Sequence, residues 1–297
     1  KNYYMKLSTV NLFQKMSLLL VLSLLLTPSL SAQKKNIKVT NAQEFLRALG
    51  SNRVLLMAPG VYDFSDLMDA GGDHHYFKDA YDGQELWIRG TDNLTIKSAD
   101  PKQIAEFVTQ PQYGNVLAFE NCKNITIENI EAGHGASKGS CTGGVLFFSQ
   151  VSNVQINNCL LYGSGIEGIT TSSVDGLTAR NVRIRGCTYG IMTIEGSENI
   201  RFENCSFTDN MEFDLINIIA SPKVTFKNCV ISQNQTGIES YSDYSLFKFQ
   251  YTGSAILNNT LVKYNRSAHL TNDKGKLEVK NSQIRNNYYA QGMYKDE

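Results

Sequence analysis

The sequence predicts an all-β solenoid in which short parallel strands stack coil upon coil. The first observation behind this prediction is a segment with apolar residues at every second position, which recurs with a period of about two dozen residues. The second is that each copy of this segment ends in Asn. Helical repeats need about 33 to 47 residues and propeller blades about 40 to 50, so this period is too short for either.

Composition excludes several other classes of protein. The 297 residues include 42% hydrophobic residues, which is enough apolar material for a core. The 28 basic and 28 acidic residues cancel, which removes any whole-molecule electrostatic reason to bind nucleic acid. No GxGxxG or Walker motif with the right flanks occurs, so no nucleotide cofactor is implied.

Residues 1–32 have the layout of a signal peptide. Lysines come first, the apolar run 18–26 follows, and Pro28 then opens a small polar run that ends at Ala32, the predicted cleavage point. Met5 is an alternative start. A membrane anchor would need roughly 20 apolar residues, and Pro28 cuts this run short. We therefore expect export to the periplasm, the cell surface or the medium, with no stable membrane span after cleavage.

The repeat gives two strands per coil. The copies of the first strand are residues 124–129, 153–158, 176–181, 199–204, 223–228, 254–259 and 276–281. A second apolar segment follows each turn, and these segments begin at Val116, Val145, Ile169, Ile191, Leu215 and Ile238. The predicted repeat domain spans residues 91–297.

The Asn residues that close the first strands are expected to stack as a ladder at the strand spacing of about 4.8 Å. They are Asn129, Asn158, Asn181, Asn204, Asn228, Asn259 and Asn281. Six positions later Asn210, Asn234, Asn265 and Asn287 form a second ladder, with Ser164 and Cys187 at that place in earlier coils. A buried amide is satisfied by an identical neighbour above and below, so we interpret both ladders as structural.

Cysteines follow three of these asparagines, at Cys159, Cys205 and Cys229. Side chains stacked in parallel have poor disulfide geometry, so free buried thiols are predicted. Cys141 and Cys187 lie in turns, and a bridge between them is left open.

Residues 33–90 are predicted to form an N-terminal cap and a first coil. Asn41 with Glu44 indicates a capping box that opens a short helix through Leu49, with Phe45 and Leu46 on its apolar face. Insertions are predicted at 65–90, 133–144 and 241–252. At the other end, Tyr288 and Tyr289, a partner or further sequence would cover the last coil.

The Asn-closed repeats and the cap resemble a right-handed parallel β-helix of the pectin-lyase-like superfamily, over about residues 90–290. The resemblance implies a right-handed parallel β-helix with a short N-terminal capping helix and a long carbohydrate-binding groove. The superfamily includes lyases, hydrolases, epimerases, esterases and non-catalytic surface proteins, so the fold does not specify a reaction. The Arg-x-Pro-x-x-Arg and Trp-x-Asp-His segments of pectate lyases are absent.

One strip of side chains before the second strands is the candidate site. The catalytic candidates are His134, Glu167, Tyr189, Glu212 and Asp214, and the substrate-binding candidates are Lys138, Arg183 and Arg185. Two coils separate Glu167 from Asp214, about 9.6 Å, near the upper end for inverting glycosidases. In a lyase, His134, Lys138 or Tyr189 would remove the proton and an arginine would neutralise a uronate carboxylate. The alternative is that these turn residues are polar only because they contact water.

No metal site is assigned. The segment 73–76 contains two adjacent His residues but no zinc motif, and calcium through Asp79 or Asp82 is left open because hard oxygen ligands are present. The aromatic residues Tyr76, Phe77, Tyr81 and Trp87 suit either sugar stacking or packing of their own loop.

The sequence therefore predicts an exported β-helix protein that binds or cleaves polysaccharide, by lyase or glycoside hydrolase chemistry, along a groove on the solenoid. The alternative is a non-catalytic surface or assembly module. The two differ in one feature: an outward apolar patch from Met192, Ile194, Ile216 and Ile218 would favour a protein partner over a sugar.

Overall fold

The computed structural model describes residues 34–65, 67, 71–135, 143–163, 165–237 and 243–290. In these residues the chain is all-β apart from one short α-helix and one 3-10 turn, Lys274–Lys276. The strands wind as a right-handed parallel β-helix, which confirms the predicted fold class. The predicted signal peptide, residues 1–32, lies outside the described residues.

Three sheets run along the solenoid, and we call them A, B and C in the order in which each coil meets them. Sheet A contains Lys35–Val39, Arg53–Met57, Leu94–Ser98, Lys123–Glu128, Ser152–Asn157, Asp175–Arg180, Glu198–Glu203, Val224–Lys227, Ala255–Asn258 and Leu277–Lys280. Sheet B contains Gly60–Asp63, Ala105–Thr109, Ile130–His134, Leu160–Tyr162, Arg183–Arg185, Ser206–Thr208, Val230–Ser232, Leu261–Lys263 and Gln283–Arg285. Sheet C contains His75–Ala80, Gly83–Arg89, Leu117–Glu120, Leu146–Ser149, Ile169–Ser172, Met192–Glu195, Ile216–Ile219, Ser245–Gln250 and His269–Thr271.

A fourth, shorter sheet, D, lies between sheets B and C in the last coils. Its strands are Met211–Glu212, Gln235–Thr236, Arg266–Ser267 and Tyr288–Tyr289. The two C-terminal tyrosines therefore continue the coil, and Tyr289 also packs against the core. Cover of the last coil by a partner stays a prediction.

The register of sheet A confirms the repeat alignment. Ile125 pairs with Val154, Val154 with Leu177 and Leu177 with Ile200. All four side chains are buried, because every second residue of each strand faces the interior of the coil. The core is thus a stack of equivalent apolar positions.

The two Asn ladders have different physical causes. The A–B corner ladder is stacked as predicted, and Asn181 donates to the Oδ1 of Asn158 over 2.9 Å. Burial does not explain this ladder, because Asn158, Asn181 and Asn204 are exposed. Their φ angles of 54° to 55° explain the ladder, since Asn tolerates the left-handed conformation that this corner requires.

The second ladder is buried and fully bonded. Asn210, Asn234 and Asn265 are each 1% exposed. The Nδ2 of Asn234 donates to Phe207 O over 3.0 Å and to the Oδ1 of Asn265 over 2.9 Å. This ladder fulfils the predicted role of satisfying polar groups inside the coil.

The cysteines behave as small core residues. Cys122, Cys159, Cys205 and Cys229 are buried and form no disulfide. Burial raises the pKa of Cys159 to about 12. The free-thiol prediction is confirmed for Cys159, Cys205 and Cys229. Cys141 lies outside the described residues, and the option of a bridge from it to Cys187 stays open.

The N-terminal cap forms as predicted. The helix spans Ala42–Ala48, the side chain of Asn41 accepts from Glu44 N over 2.9 Å, and Phe45, Leu46 and Leu49 are buried. The carboxylate of Glu44 in turn accepts a hydrogen bond from the backbone N–H of Thr40 over 2.8 Å.

Two expectations were wrong. Residues 75–89 are not a loop but an antiparallel hairpin that extends sheet C, because its apolar positions complete the first coil. The sheet C strand predicted from Ile238 is instead Ser245–Gln250, whose Leu246, Phe247 and Phe249 fill the core; residues 238–242 lie outside the described residues. The four apolar side chains named as a possible outward patch, at Met192, Ile194, Ile216 and Ile218, are fully buried, so they do not form one.

Within the described part of the chain, no helix has the length and apolarity needed to cross a membrane.

Candidate functional site

The connection from sheet B to sheet C is where the regular repeat is interrupted. Eleven residues separate His134 from Leu146, whereas Asn129 alone joins the adjacent strands of sheets A and B. Long connections on a rigid scaffold commonly carry function, so the residues of this corner and the adjoining face of sheet C form the candidate site.

A row of equivalent positions lies two residues before the sheet C strands, and we call it the carboxylate row. Its members are Asn115, Gly144, Glu167, Gly190 and Asp214. Both neighbours of Glu167 in this row are glycines. A β-carbon placed on Gly190 would lie 3.5 Å from Cγ and Oε1 of Glu167, which is ordinary van der Waals contact, so the glutamate side chain lies directly beside Gly190.

Glu167 is a buried carboxyl group that is held by two hydroxyls. Thr193 donates to its Oε1 over 2.6 Å and Thr170 donates to its Oε2 over 3.1 Å. Glu167 is 6% exposed and makes no ion pair with another described residue. Burial raises the pKa of Glu167 to about 7, against the opposing effect of the two threonine bonds. At neutral pH this carboxyl group both gives up and takes up a proton readily.

Asp214 stands two strands further along the same row, as the sequence predicted. Its Oδ1 accepts from Ser245 N over 2.7 Å. Partial burial raises the pKa of Asp214, while the positive charge of Lys248 opposes that shift. Two strand spacings place it about 9.6 Å from Glu167 along the sheet.

An aromatic row runs one position before the carboxylate row. The ring of Tyr189 lies 4.8 Å from that of Phe213, and Phe213 lies 5.3 Å from Tyr244. Phe213 is 43% exposed. Tyr189 is thus part of a row of tilted and edge-on aromatic contacts beside the carboxylate row, an environment that its assignment as a base did not anticipate.

The outer face of sheet C adjoins both rows. Its central register row contains Trp87, Ala118, Phe147, Thr170, Thr193, Asn217 and Lys248. The rings of Trp87 and Phe147 meet edge to face at 5.4 Å, and Tyr76 stacks on Trp87 at 6.0 Å. Glu167 therefore lies between an aromatic cluster on one side and the aromatic row on the other.

His134 ends a strand of sheet B and lies outside the carboxylate row. It is 5% exposed, and its Nε2 donates to Gly114 O over 2.9 Å. Its Nδ1 has no partner among the described residues. Burial lowers the pKa of His134, so the ring is neutral at pH 7.

The remaining predicted residues are not brought to Glu167. Glu212 lies in sheet D and is exposed. Arg183 and Arg185 project from the outer face of sheet B, where they line separate clefts of about 250 and 530 Å³. Lys138 lies outside the described residues. The predicted strip is thus divided between different sides of the solenoid.

Several functional candidates were missed. Thr170 and Thr193 follow Glu167 and Gly190 by three residues each, and this spacing was the available signal. A second buried carboxylate, Glu85, accepts from the Nε1 of Trp87 over 2.7 Å and from Asn115 N over 2.8 Å. Its bonds tie the hairpin to the next coil, which indicates a structural role.

In the described residues no group of three or more His, Cys, Asp or Glu is placed to hold a metal ion. The carboxylate of Asp82 accepts from Gln112 N over 2.6 Å and from Tyr113 N over 3.1 Å. Asp79 accepts from the Nε2 of Gln84 over 3.2 Å. Calcium binding stays a prediction.

Comparison with known proteins identifies the fold family. A family model described as a right handed beta helix region matches residues 83–248. No curated protein matches the chain.

Among solved structures, the pectate lyase Pel9A is similar with a TM-score of 0.54 and 13% identity, covering 86% of this chain and 80% of its own. A pectate lyase from Xanthomonas campestris gives 0.53 and 13%, covering 89% and 82%. The pectin methylesterase PemA from Erwinia chrysanthemi gives 0.50 and 10%, covering 88% and 92%. The chain therefore belongs to the right-handed β-helix family, with the fold of the pectin-lyase-like proteins.

Proposed function

We propose that this is an exported protein that binds a polysaccharide across the outer face of sheet C and cleaves it by proton transfer at Glu167. The observation that carries the proposal is the buried carboxyl group of Glu167, which has a pKa of about 7 and no ion pair with a described residue, beside an aromatic row in which Phe213 is 43% exposed. A proton-transfer group is most effective when its pKa lies near the working pH. Such perturbed groups concentrate at functional sites.

The surroundings of Glu167 suit a sugar chain. Aromatic rings bind the apolar faces of sugars, and the exposed ring of Phe213 lies in the aromatic row beside Glu167. Asn217 and Lys248 continue the same outer face with hydrogen-bonding groups. The apolar residues that would have favoured a protein partner are buried, which argues against an assembly module at this face.

Hydrolysis fits the two carboxyl groups. Protonated Glu167 would donate to the glycosidic oxygen while Asp214 activates water on the opposite face of the sugar. The separation of about 9.6 Å leaves room for that water and favours inversion. Elimination is the second candidate, because Lys248 on the same face offers a positive charge for a uronate carboxylate while ionised Glu167 removes a proton. The lyases among the similar structures support this second candidate through their fold alone.

The test is a panel of neutral and uronic-acid polysaccharides, incubated with the wild-type protein and with Glu167→Gln. New reducing ends without unsaturated product indicate hydrolysis, whereas unsaturated product absorbance indicates elimination. We expect Glu167→Gln to lower the rate about 10²- to 10⁴-fold. Glu195→Gln, which removes an exposed carboxylate from the far end of the adjacent strand, is the control and should retain the rate. Equal rates for wild type and Glu167→Gln would refute the proposal.

A further inference from the structure

A recess of about 530 Å³ lies at the corner where the strands of sheet B end. Residues in the left-handed conformation form this corner in successive coils: Gly163, Gly186, Asp209, Gln233, Tyr264 and Asn286, with φ between 56° and 70°. The first two are glycines, whereas the later coils have side chains at the same place. A β-carbon on Gly163 would meet nothing within 4 Å. At Gly163 the recess therefore occupies space that the corner side chains of later coils would fill.

Tyr162 forms a fixed wall of this recess. Its hydroxyl donates to Glu106, and its ring lies against Gly133, where a β-carbon would approach ring carbons to within 2.6 Å. A ring held at both its edge and its face is already ordered before a ligand binds, which reduces the entropic cost of binding.

Arg185 supplies the charge of the recess. It stands beside Tyr162 in the register of sheet B and is exposed. It makes no ion pair with another described residue. Glu106 and Glu131 contribute negative potential at Tyr162, while Arg185 contributes positive potential. Among the residues that line the recess Arg185 is basic and Asp209 is acidic, so a bound carboxylate would lie on Arg185 and away from Asp209.

The other groups around the recess are those that recognise a sugar. Gln233 and Gln235 provide amide donors and acceptors, Asp209 provides an acceptor for hydroxyls, and Met211 presents an apolar surface that is 39% exposed. The volume lies within the range of ordinary ligand sites, about 300 to 1,000 Å³.

We propose that this recess is a separate binding site for a carboxylate-bearing saccharide, with the carboxylate on Arg185 and the sugar ring between Tyr162 and Met211. A guanidinium binds a carboxylate through two parallel hydrogen bonds, which gives both affinity and orientation. The site uses none of the residues of the carboxylate row. This proposed binding site is an addition to the proposed cleavage, and its test does not depend on cleavage at Glu167.

The test is calorimetric titration with a galacturonic acid trisaccharide and with its methyl-esterified, neutral counterpart. All proteins carry Glu167→Gln, so that turnover does not interfere. Arg185→Gln removes the charge, and Gly163→Asn fills the recess with a residue that the corner accepts at Asn286. Arg201→Gln, at an exposed position of sheet A, is the control for loss of one positive charge.

We expect the acidic trisaccharide to bind to the Glu167→Gln protein, and to bind about ten- to a hundredfold more weakly when Arg185→Gln is added. Gly163→Asn should weaken binding similarly, Arg201→Gln should leave it unchanged, and the neutral counterpart should bind weakly throughout. The proposal is overturned if the acidic trisaccharide does not bind, if neither recess substitution weakens it, or if the neutral counterpart binds equally well. None of these results depends on whether Glu167 is catalytic.

Discussion

Replacement of Glu167 by Gln should stabilise the protein at neutral and alkaline pH while it removes activity. Burial raises the pKa of Glu167 from 4.5 to about 7. Each pKa unit corresponds to about 1.4 kcal/mol, so ionising this group in the folded state costs about 3 kcal/mol more than in the unfolded chain. Gln imitates the neutral carboxyl group and should recover most of that free energy.

The effect has a defined pH window. Below about pH 4.5 the carboxyl group is protonated in both states, so wild type and variant should be equally stable apart from small packing effects. As pH rises from 4.5 to 7 the unfolded chain ionises first, and wild-type stability falls by the full amount. Above about pH 7 both states are ionised and the difference stays constant near 3 kcal/mol.

Urea unfolding of both proteins at pH 4 and pH 8 measures this difference. Glu195→Gln, at an exposed position of the same sheet, measures the effect of losing a carboxylate without burial. A free-energy difference between wild type and Glu167→Gln that is the same at pH 4 and pH 8 would refute the assigned cause. A variant that is less stable than wild type at pH 8 would refute it more strongly, because it would mean that the ionised carboxylate is favoured.

Four further substitutions test the surroundings of the site and the ladders. Thr193→Val removes the 2.6 Å bond to Glu167 and should raise the pKa of that carboxyl group by about one to two units, seen as an alkaline shift of the kcat/KM profile. Phe213→Ala should weaken binding of a polysaccharide about three- to tenfold in a Kd measurement with little change in Tm, since its side chain is exposed. Asn234→Ala breaks four buried hydrogen bonds and should lower the free energy of unfolding in urea by about 3 to 5 kcal/mol. Asn204→Ala, at an exposed position, should lower it by about 1 kcal/mol. Equal losses would show that burial does not distinguish the two ladders.

The regular part of the fold was predictable because each coil repeats one physical problem. A position that faces the core in one coil faces it in the next, so the alternation in residues 124–129 fixed the register of sheet A through all later copies. The strand Ser245–Gln250 was missed because its coil contains extra residues before the strand rather than after it. The apolar residue Ile238 fitted the repeat period as well as Ser245–Gln250 does. Only packing against the common core distinguishes the two positions for the strand.

The candidate site was predictable only where it depends on the repeat. The alignment of Glu167 with Asp214 depends on register alone and follows from the repeat. The hydrogen bond from Thr193 to Glu167 depends on the direction of an outward side chain, and the repeat period does not specify that direction. Arg183 and Arg185 alternate with buried Ile184 and project outward, but from sheet B and not beside Glu167, because their strand follows directly after the A–B corner at Asn181.

The contrast between repeated and unrepeated positions also indicates which residues act on a ligand. The buried Asn ladder continues through four coils, and its groups bond to one another, so it has no capacity left for chemistry. Glu167 has glycines on both sides in its row, and no identical neighbour shares its proton or its charge. A solenoid stabilises a polar group by repeating it, and a carboxyl group that is buried without repetition keeps its raised pKa.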